Sequence, residues 1–269
     1  MDFKSITDRI RIHIIESVTE AKSGHVGGSL SLVEIMAVLY FSKMNVDPDN
    51  PNWENRDRLI LSKGHASPVL YATLAEKGFF PVSELTKLRK FGERLQGHPD
   101  MHSTPGVDVS SGSLGQGLSI ANGMALAAKM DNKDYRIFVI LGDGEIQEGQ
   151  IWEAAMTTAH YNLNNVIPIL DLNKLQLAGS TEEIMDIEPV VDKFTAFGWN
   201  VISIDGHDCS EISDAIDNAT KNKNKPTIII ADTIKGKGVS FMENNVNWHG
   251  VAPTIDQCEL ALQELRGTS

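Results

Sequence analysis

Arg136-Ile137-Phe138-Val139-Ile140-Leu141-Gly142-Asp143-Gly144-Glu145 and, later, Val166-Ile167-Pro168-Ile169-Leu170-Asp171-Leu172-Asn173 decide the fold. In each stretch a short apolar strand runs straight into an oxygen-bearing side chain. The spacing puts Asp143 and Asn173 thirty residues apart, at the carboxyl ends of two strands. In an open parallel sheet that edge is where ligands bind. Glycines on both sides of Asp143 let the backbone come close to a bulky anion. A hard divalent cation such as Mg²⁺ takes oxygen ligands and shares itself with phosphates. The two stretches together read as a magnesium–diphosphate site.

Working outward, strands alternate with helices. Ile6, Ile10, Ile14 and Val18 recur every four residues and predict an amphipathic helix that Gly24 ends. Ser31 and Glu34 have capping-box spacing and predict a helix from Leu32 to about Ser42. Arg58 to Leu61 reads as a strand. Ser67-Pro68 then reads as an N-cap with proline at the first helical position, and Gly78 as the stop. The glycine-rich residues 112–117 open a helix of small side chains, Leu118 to about Lys129, suited to close packing at a buried or subunit interface. Gln150 to His160 is helical and 174–188 reads as loop. Pro189 to Phe197, Ser210 to Lys221 and a last helix capped by Thr254 and Gln257 alternate with strands at Trp199 to Ile204 and Thr227 to Asp232. This order predicts an α/β fold: a doubly wound, mostly parallel sheet with helices on both faces. No linker divides the chain, so residues 1–269 are expected to form a single domain.

Composition excludes some functions. The chain has 269 residues, enough to bury a sizeable core, with 41% hydrophobic and 22% charged residues. A formal charge of −12 argues against nucleic acid, whose phosphates demand a basic face. No apolar run approaches the roughly 20 residues that span a bilayer. The start of the chain lacks a signal peptide's apolar core. Cys209 and Cys258 lie in no metal-ligand spacing, which fits a reducing cytoplasm.

Taken alone, a strand-end aspartate and a turn asparagine are ordinary structural residues. Their surroundings change that reading. Ser23-Gly24-His25, Leu61-Ser62-Lys63-Gly64-His65-Ala66, Gly97-His98-Pro99-Asp100, Gly112-Ser113-Leu114-Gly115-Gln116-Gly117, Gly142-Asp143-Gly144-Glu145 and Asp171-Leu172-Asn173 follow one another in that order. Lys235-Gly236-Lys237-Gly238 and Trp248-His249-Gly250 come after them. GDG followed about thirty residues later by N resembles the thiamine-diphosphate signature. The whole series resembles the amino-terminal half of transketolase, along nearly the full chain.

The resemblance implies the thiamine-diphosphate-binding fold, in its diphosphate-binding (PP-type) domain, with thiamine diphosphate and Mg²⁺ as cofactors. It implies Asp143, Asn173 and the Leu175 backbone carbonyl as metal ligands. His65 and His249 become donors to the diphosphate. His25 and His249 become proton carriers at a substrate oxygen, and His98 a contact to the substrate's terminal hydroxyl. Histidine suits proton transfer because its ordinary pKa lies near neutrality. Gly112, Leu114 and Gly144 match positions that meet the cofactor through backbone groups. Glu148 and Glu153 match acidic residues at a subunit interface, thought to link paired cofactor sites. Lys235-Gly236-Lys237-Gly238 is no Walker A loop and resembles a mobile loop that closes over the cofactor. His13, His102, His160 and His207 are read as structural.

The family's activating glutamate and most sugar-phosphate contacts belong to a pyrimidine-binding half that this sequence does not contain. The implied protein is therefore the N-terminal subunit of a two-chain transketolase. It moves a two-carbon ketol unit from a ketose phosphate to an aldose phosphate. It pairs with a C-terminal chain, in an α₂β₂ heterotetramer. The alternatives are a subunit of another thiamine-diphosphate enzyme of the deoxyxylulose-phosphate synthase kind, or a non-catalytic cofactor-binding regulatory subunit. The motifs at 61–66 and 97–100 fit transketolase better.

Overall fold

The structure, a computed structural model, describes residues 1–267. Five strands form one sheet: β1 (Arg58–Leu61), β2 (Ile137–Gly142), β3 (Val166–Leu172), β4 (Asn200–Asp205) and β5 (Thr227–Asp232). Their spatial order is β1-β2-β3-β5-β4, and every pairing is parallel. The helices are α1 (Phe3–Ala21), α2 (Gly27–Leu30), α3 (Val33–Val38), α4 (Ser67–Lys77), α5 (Gly117–Met130), α6 (Gly149–His160), α7 (Thr181–Ile184), α8 (Val190–Ala196), α9 (Cys209–Lys221) and α10 (Ile255–Arg266).

Period-two alternation in the strands sorts the core into two layers. Phe138 and Ile140 of β2 and Ile167 and Ile169 of β3 pack with α1, α3, α4 and α9. Ile137, Val139 and Leu141, with Val166, Leu170 and Leu172, pack with α5, α6 and α8. Right-handed crossovers dictate this split. The steps β2→β3 and β3→β4 move one way across the sheet and put α6 and α8 on one face. The step β4→β5 moves back and puts α9 on the other. Asp171 continues the parity of Ile167 and Ile169, so its carboxylate emerges on the α3 side.

The periodicity of α1 buries Ile10, Ile14, Ile15 and Val18 completely, each contributing about 1.5–3 kcal/mol. Lys22, not Gly24, provides its left-handed cap, with φ of 51°. Gly24, at φ of 147°, turns the chain toward His25 against the Val18 side chain. The capping box of α10 forms as expected: the Thr254 hydroxyl accepts from the Gln257 N–H while the Gln257 side chain accepts from the Thr254 N–H. Gly78 ends α4 in the left-handed region, and Pro68 sits in its first turn.

Three expectations are corrected. Ser31 and Glu34 do not cap a helix. Ser31 Oγ donates to Asp171 Oδ2 at 2.7 Å, and Glu34 pairs with Arg11 at 2.6 Å. Tertiary partners of opposite charge or acceptor character outcompete the local cap, α3 starts at Val33, and residues 39–43 continue it as a π-helical turn. Ser67 lies inside α4, and its hydroxyl donates to the Gly97 carbonyl. Within 174–188 the chain forms α7, capped by Ser180, and a bridge between Leu175 and Ser180.

Candidate active site at the carboxyl edge of the sheet

A cavity of about 510 Å³ opens at the carboxyl ends of β1, β2 and β3, within the range of small-molecule sites. His25, His65, His98, His249, Gly112, Leu114, Asp143, Gly144, Glu148, Asn173 and Leu175 all line it. Glu148 lies exposed at its rim. Glu153 does not line it: it sits exposed on α6, one residue after Trp152, which faces the core. A helix face carries Glu153 outward, so of the residues read for the cofactor it alone does not reach the cavity.

Asp143 follows the last residue of β2, Gly142, which the register pairs with Asp171 of β3. Its carboxylate accepts from the Gly144 N–H at 2.7 Å and from the Lys174 N–H at 2.5 Å. The second bond seats the carboxylate against the peptide that follows Asn173. Asp143 is 4% exposed. Burial, and then the nearby Asp171 carboxylate, push its carboxyl up to about 6. A buried anion with too little neutralisation calls for a cation. Asn173 is oriented from below: its Nδ2 donates to Asp171 Oδ2 at 3.2 Å, which leaves Oδ1 to accept from the Leu175 N–H at 3.1 Å.

Asp171 is fully buried, and it gathers donors from four segments. Lys63 pairs with it from the end of β1, Thr233 and Ser31 donate hydroxyls, and Asn173 donates its amide. Burial alone would raise its carboxyl; the Lys63 ammonium and these bonds hold it below the usual range. Glu145 is buried too and accepts from the Ser62 hydroxyl and the Gly115 and Gly142 N–H groups, but there burial prevails and holds its carboxyl above the usual range. Sequence reasoning quoted these residues inside motifs without assigning them a role. The available signal was a charged residue inside otherwise apolar or glycine-rich motifs, which a core tolerates only when it is paired.

Three imidazoles converge. The His25 ring lies 5.0 Å from that of His65 and 5.5 Å from that of His249, and His65 and His249 are 5.4 Å apart, centre to centre. Burial, with neighbouring positive charge, depresses all three: His25 to about 4, His249 to about 3 and His65 to about 2. All are neutral at pH 7, so each offers one lone pair and one N–H. His25 Nδ1 is buried without a hydrogen-bond partner. His98 lies against Gly112, where a Cβ would meet its ring at 3.3 Å.

Lys235 reaches in from the end of β5. Its ammonium donates to the Leu175 carbonyl and lies 2.9 Å from His249 Nδ1, and burial lowers it to about 8. The 235–238 stretch is packed rather than extended. Gly236 donates to the Gly27 carbonyl, Asn244 to the Lys235 carbonyl, and Arg11 to the Lys237 carbonyl. Gly236 takes φ of 81°, and a Cβ there would strike the Met242 carbonyl at 2.3 Å. Of the other histidines, His13 is bound to Glu76, and His207 to Glu34 and the Ile234 N–H.

The donor set fits a divalent cation and a diphosphate. It offers one buried carboxylate, one fixed amide oxygen and one backbone carbonyl. Among the described residues no three His, Cys, Asp or Glu side chains form a metal cage; a hard cation shared with an anion takes its other oxygens from that anion and from water. Two glycines keep space open: a Cβ on Gly28 would sit about 4 Å from the Lys63 ammonium and His65 Nε2, and one on Gly144 at 3.2 Å from Gln176.

The family model described as transketolase, thiamine diphosphate binding domain, matches residues 3–266. The chain belongs to the transketolase family. It is 48% identical over 265 residues to 6-deoxy-6-sulfo-D-fructose transketolase subunit SqwG of Clostridium sp. (strain MSTE9), covering 98% of this chain and 96% of that one. It is 44% identical to an apulose-4-phosphate transketolase subunit of Phocaeicola vulgatus, covering 96% and 92%. Against human transketolase the identity is 41%, over 97% of this chain and 42% of that protein. The solved transketolase of Campylobacter jejuni superposes with a TM-score of 0.92 at 33% identity, covering 99% of this chain and 43% of that one. The chain thus spans about two fifths of the long transketolases and nearly all of the two transketolase subunits. As a member of the family it is an enzyme chain of the thiamine-diphosphate-dependent transketolase type.

Proposed function

We propose that this chain is the diphosphate- and Mg²⁺-binding subunit of a two-chain transketolase, which moves a two-carbon ketol unit from a ketose phosphate to an aldose phosphate. The observation that carries the reading is the buried Asp143 carboxylate seated against the peptide after Asn173, facing three neutral imidazoles across one cavity. Asp143, Asn173 and the Leu175 carbonyl would hold the cation. His65, His249 and the Lys235 ammonium would donate to the diphosphate, and Gly112, Leu114 and Gly144 would present backbone to the rest of the cofactor. Thiamine diphosphate, when bound, supplies the nucleophilic carbon and the electron sink for cleaving a bond next to a carbonyl. His25 and His249 accept and return protons at the substrate hydroxyls, a task that needs imidazoles neutral at working pH. His98, which also lines the cavity, orients the terminal hydroxyl. Glu148 at the rim and Glu153 on the outer face of α6 are placed for a neighbouring subunit rather than for the cofactor itself.

Two relatives of matching length are named as transketolase subunits, which supports a partner chain that brings the pyrimidine-binding half in an α₂β₂ assembly. Among the described residues no helix is long and apolar enough to cross a membrane. Cys209 and Cys258 are both free thiols, and we place the enzyme in the cytoplasm. The test is a coupled assay of ketol transfer by the chain with and without a co-expressed pyrimidine-binding chain. Transfer that requires both chains supports the reading, and full transfer by this chain alone refutes it.

A further inference from the structure

Arg89 stands beside the site without a carboxylate. Arg9, Arg11, Arg56, Arg94, Arg136 and Arg266 each pair with an Asp or Glu side chain. Arg89 forms no such pair among the described residues, and neither does Arg58, which donates to the Arg56 and Glu54 carbonyls. The Arg89 backbone is unusual as well: φ is +59°, a left-handed value uncommon outside glycine and asparagine, and its N–H closes a loop onto the Leu95 carbonyl at 2.7 Å. That turn aims the side chain inward. Nη1 donates to Ser23 Oγ at 2.9 Å, two residues before His25. The guanidinium also lies against Gly97, the residue before His98, where a Cβ would come within 2.8 Å of Cζ and Nη2. Gly97 is thus the residue that lets the guanidinium approach.

The loop carrying His98 is fixed on its other side by carbonyl bonds. The Tyr71 hydroxyl meets the Gln96 and His98 carbonyls, and Ser67 donates to the Gly97 carbonyl. The loop carrying His25 is held at the His25 carbonyl, which accepts from Ser29 Oγ at 2.8 Å. Arg89 is the group that spans the two loops.

We propose that Arg89 is a positioning residue that ties the Ser23–His25 loop to the Gly97–His98 loop and sets a fixed positive charge against both imidazoles. A cation close to an imidazole disfavours the imidazolium. After burial, Arg89 is the next contributor holding both His25 and His98 below the usual range. The other groups facing His25 are His98 and Lys235 by charge and the His65 and His249 rings by contact. His98 in turn faces Arg89 and His25. Lysine would keep the charge and lose the planar fork that reaches two loops at once. What the histidines do for catalysis rests on the transfer reaction proposed above; the tie and the charge do not.

Two arms test it. In the full chain, histidine ring protons are followed by NMR across pH, with His160 on the far end of α6 as control. Arg89→Gln should raise the His25 and His98 midpoints by about half a pH unit to one unit, the scale of one partly screened charge, with His160 unmoved. Arg89→Lys should leave the midpoints near their original values. In the enzyme assembled with its partner chain, Arg89→Lys should lower kcat about tenfold, because the loops lose their tie. Unmoved midpoints in Arg89→Gln overturn the inference, and so do wild-type rates in Arg89→Lys. Should the wild-type assembly show no ketol transfer, the proposed function fails while the NMR arm still decides the role of Arg89.

Discussion

Lys63, which lines the cavity, pairs with Asp171 behind it, at the ends of β1 and β3, with Asp171 fully buried and Lys63 nearly so. The pair does more than neutralise itself. The Lys63 ammonium also reaches the Gly28 carbonyl, and Asp171 fixes the amide of Asn173. A sheet edge built to receive anions and cations therefore rests on one internal ion pair.

Removing one partner leaves the other charge buried and alone. Asp171→Ala should destabilise the chain by about 3–5 kcal/mol. The double change Lys63→Met with Asp171→Leu should cost less than Asp171→Ala, because no charge is stranded. Urea unfolding of the three proteins measures both.

Asp143 behaves in the opposite way. Its charge is buried and poorly compensated, so Asp143→Asn keeps an acceptor for the Gly144 or Lys174 N–H and relieves the repulsion with Asp171. The metal-free chain should keep its stability within about 1 kcal/mol. Mg²⁺-dependent binding of thiamine diphosphate should be lost. Thermal unfolding and calorimetry on the same sample read the two effects separately.

Acid should weaken the fold through the histidine cluster. His25, His65 and His249 have folded values below the ordinary 6.5. Above that value neither state is charged and the cluster carries no penalty. As pH falls below it, the unfolded chain takes up protons that the folded chain refuses, so stability is lost between about pH 6.5 and the depressed folded values near 4 and below. Tm should fall across this window. In His65→Gln the fall should be shallower, and an unchanged slope would remove His65 from the explanation.

The imidazoles should also matter unequally for turnover. His249→Ala in the assembled enzyme should lower kcat by roughly 10²–10⁴, the scale for a positioned acid–base group. His160→Ala, an exposed change on α6, should leave the rate unaltered. Steady-state assays at saturating cofactor measure both.

The strands were legible because β2 and β3 are apolar runs that stop at polar residues, and Arg58–Leu61 and Thr227–Asp232 match their predicted limits. The capping box at Thr254 and Gln257 was legible because α10 begins at an exposed turn where no tertiary partner competes. The box at Ser31 and Glu34 was misleading for the converse reason: both side chains are spent on Asp171, Arg11 and His207. The cavity lining was legible wherever a motif put glycine next to a chemically active side chain. The burden carried by Asp171 was not, because no local pattern tells which buried carboxylate will draw donors from β1, β3, β5 and the α2 region at once. Arg89 was invisible for the same reason, since its partners Ser23 and Gly97 come from segments that only the fold brings together.

The central claim is that this chain holds the cofactor's diphosphate and a partner chain completes the enzyme. The most direct test assays ketol transfer from xylulose 5-phosphate to ribose 5-phosphate for the chain alone, for the chain with its co-expressed pyrimidine-binding partner, and for the same pair carrying Asp143→Ala. The account predicts transfer only in the unmodified pair with Mg²⁺ and thiamine diphosphate supplied. Turnover by the chain alone, or undiminished turnover with Asp143→Ala, would contradict it.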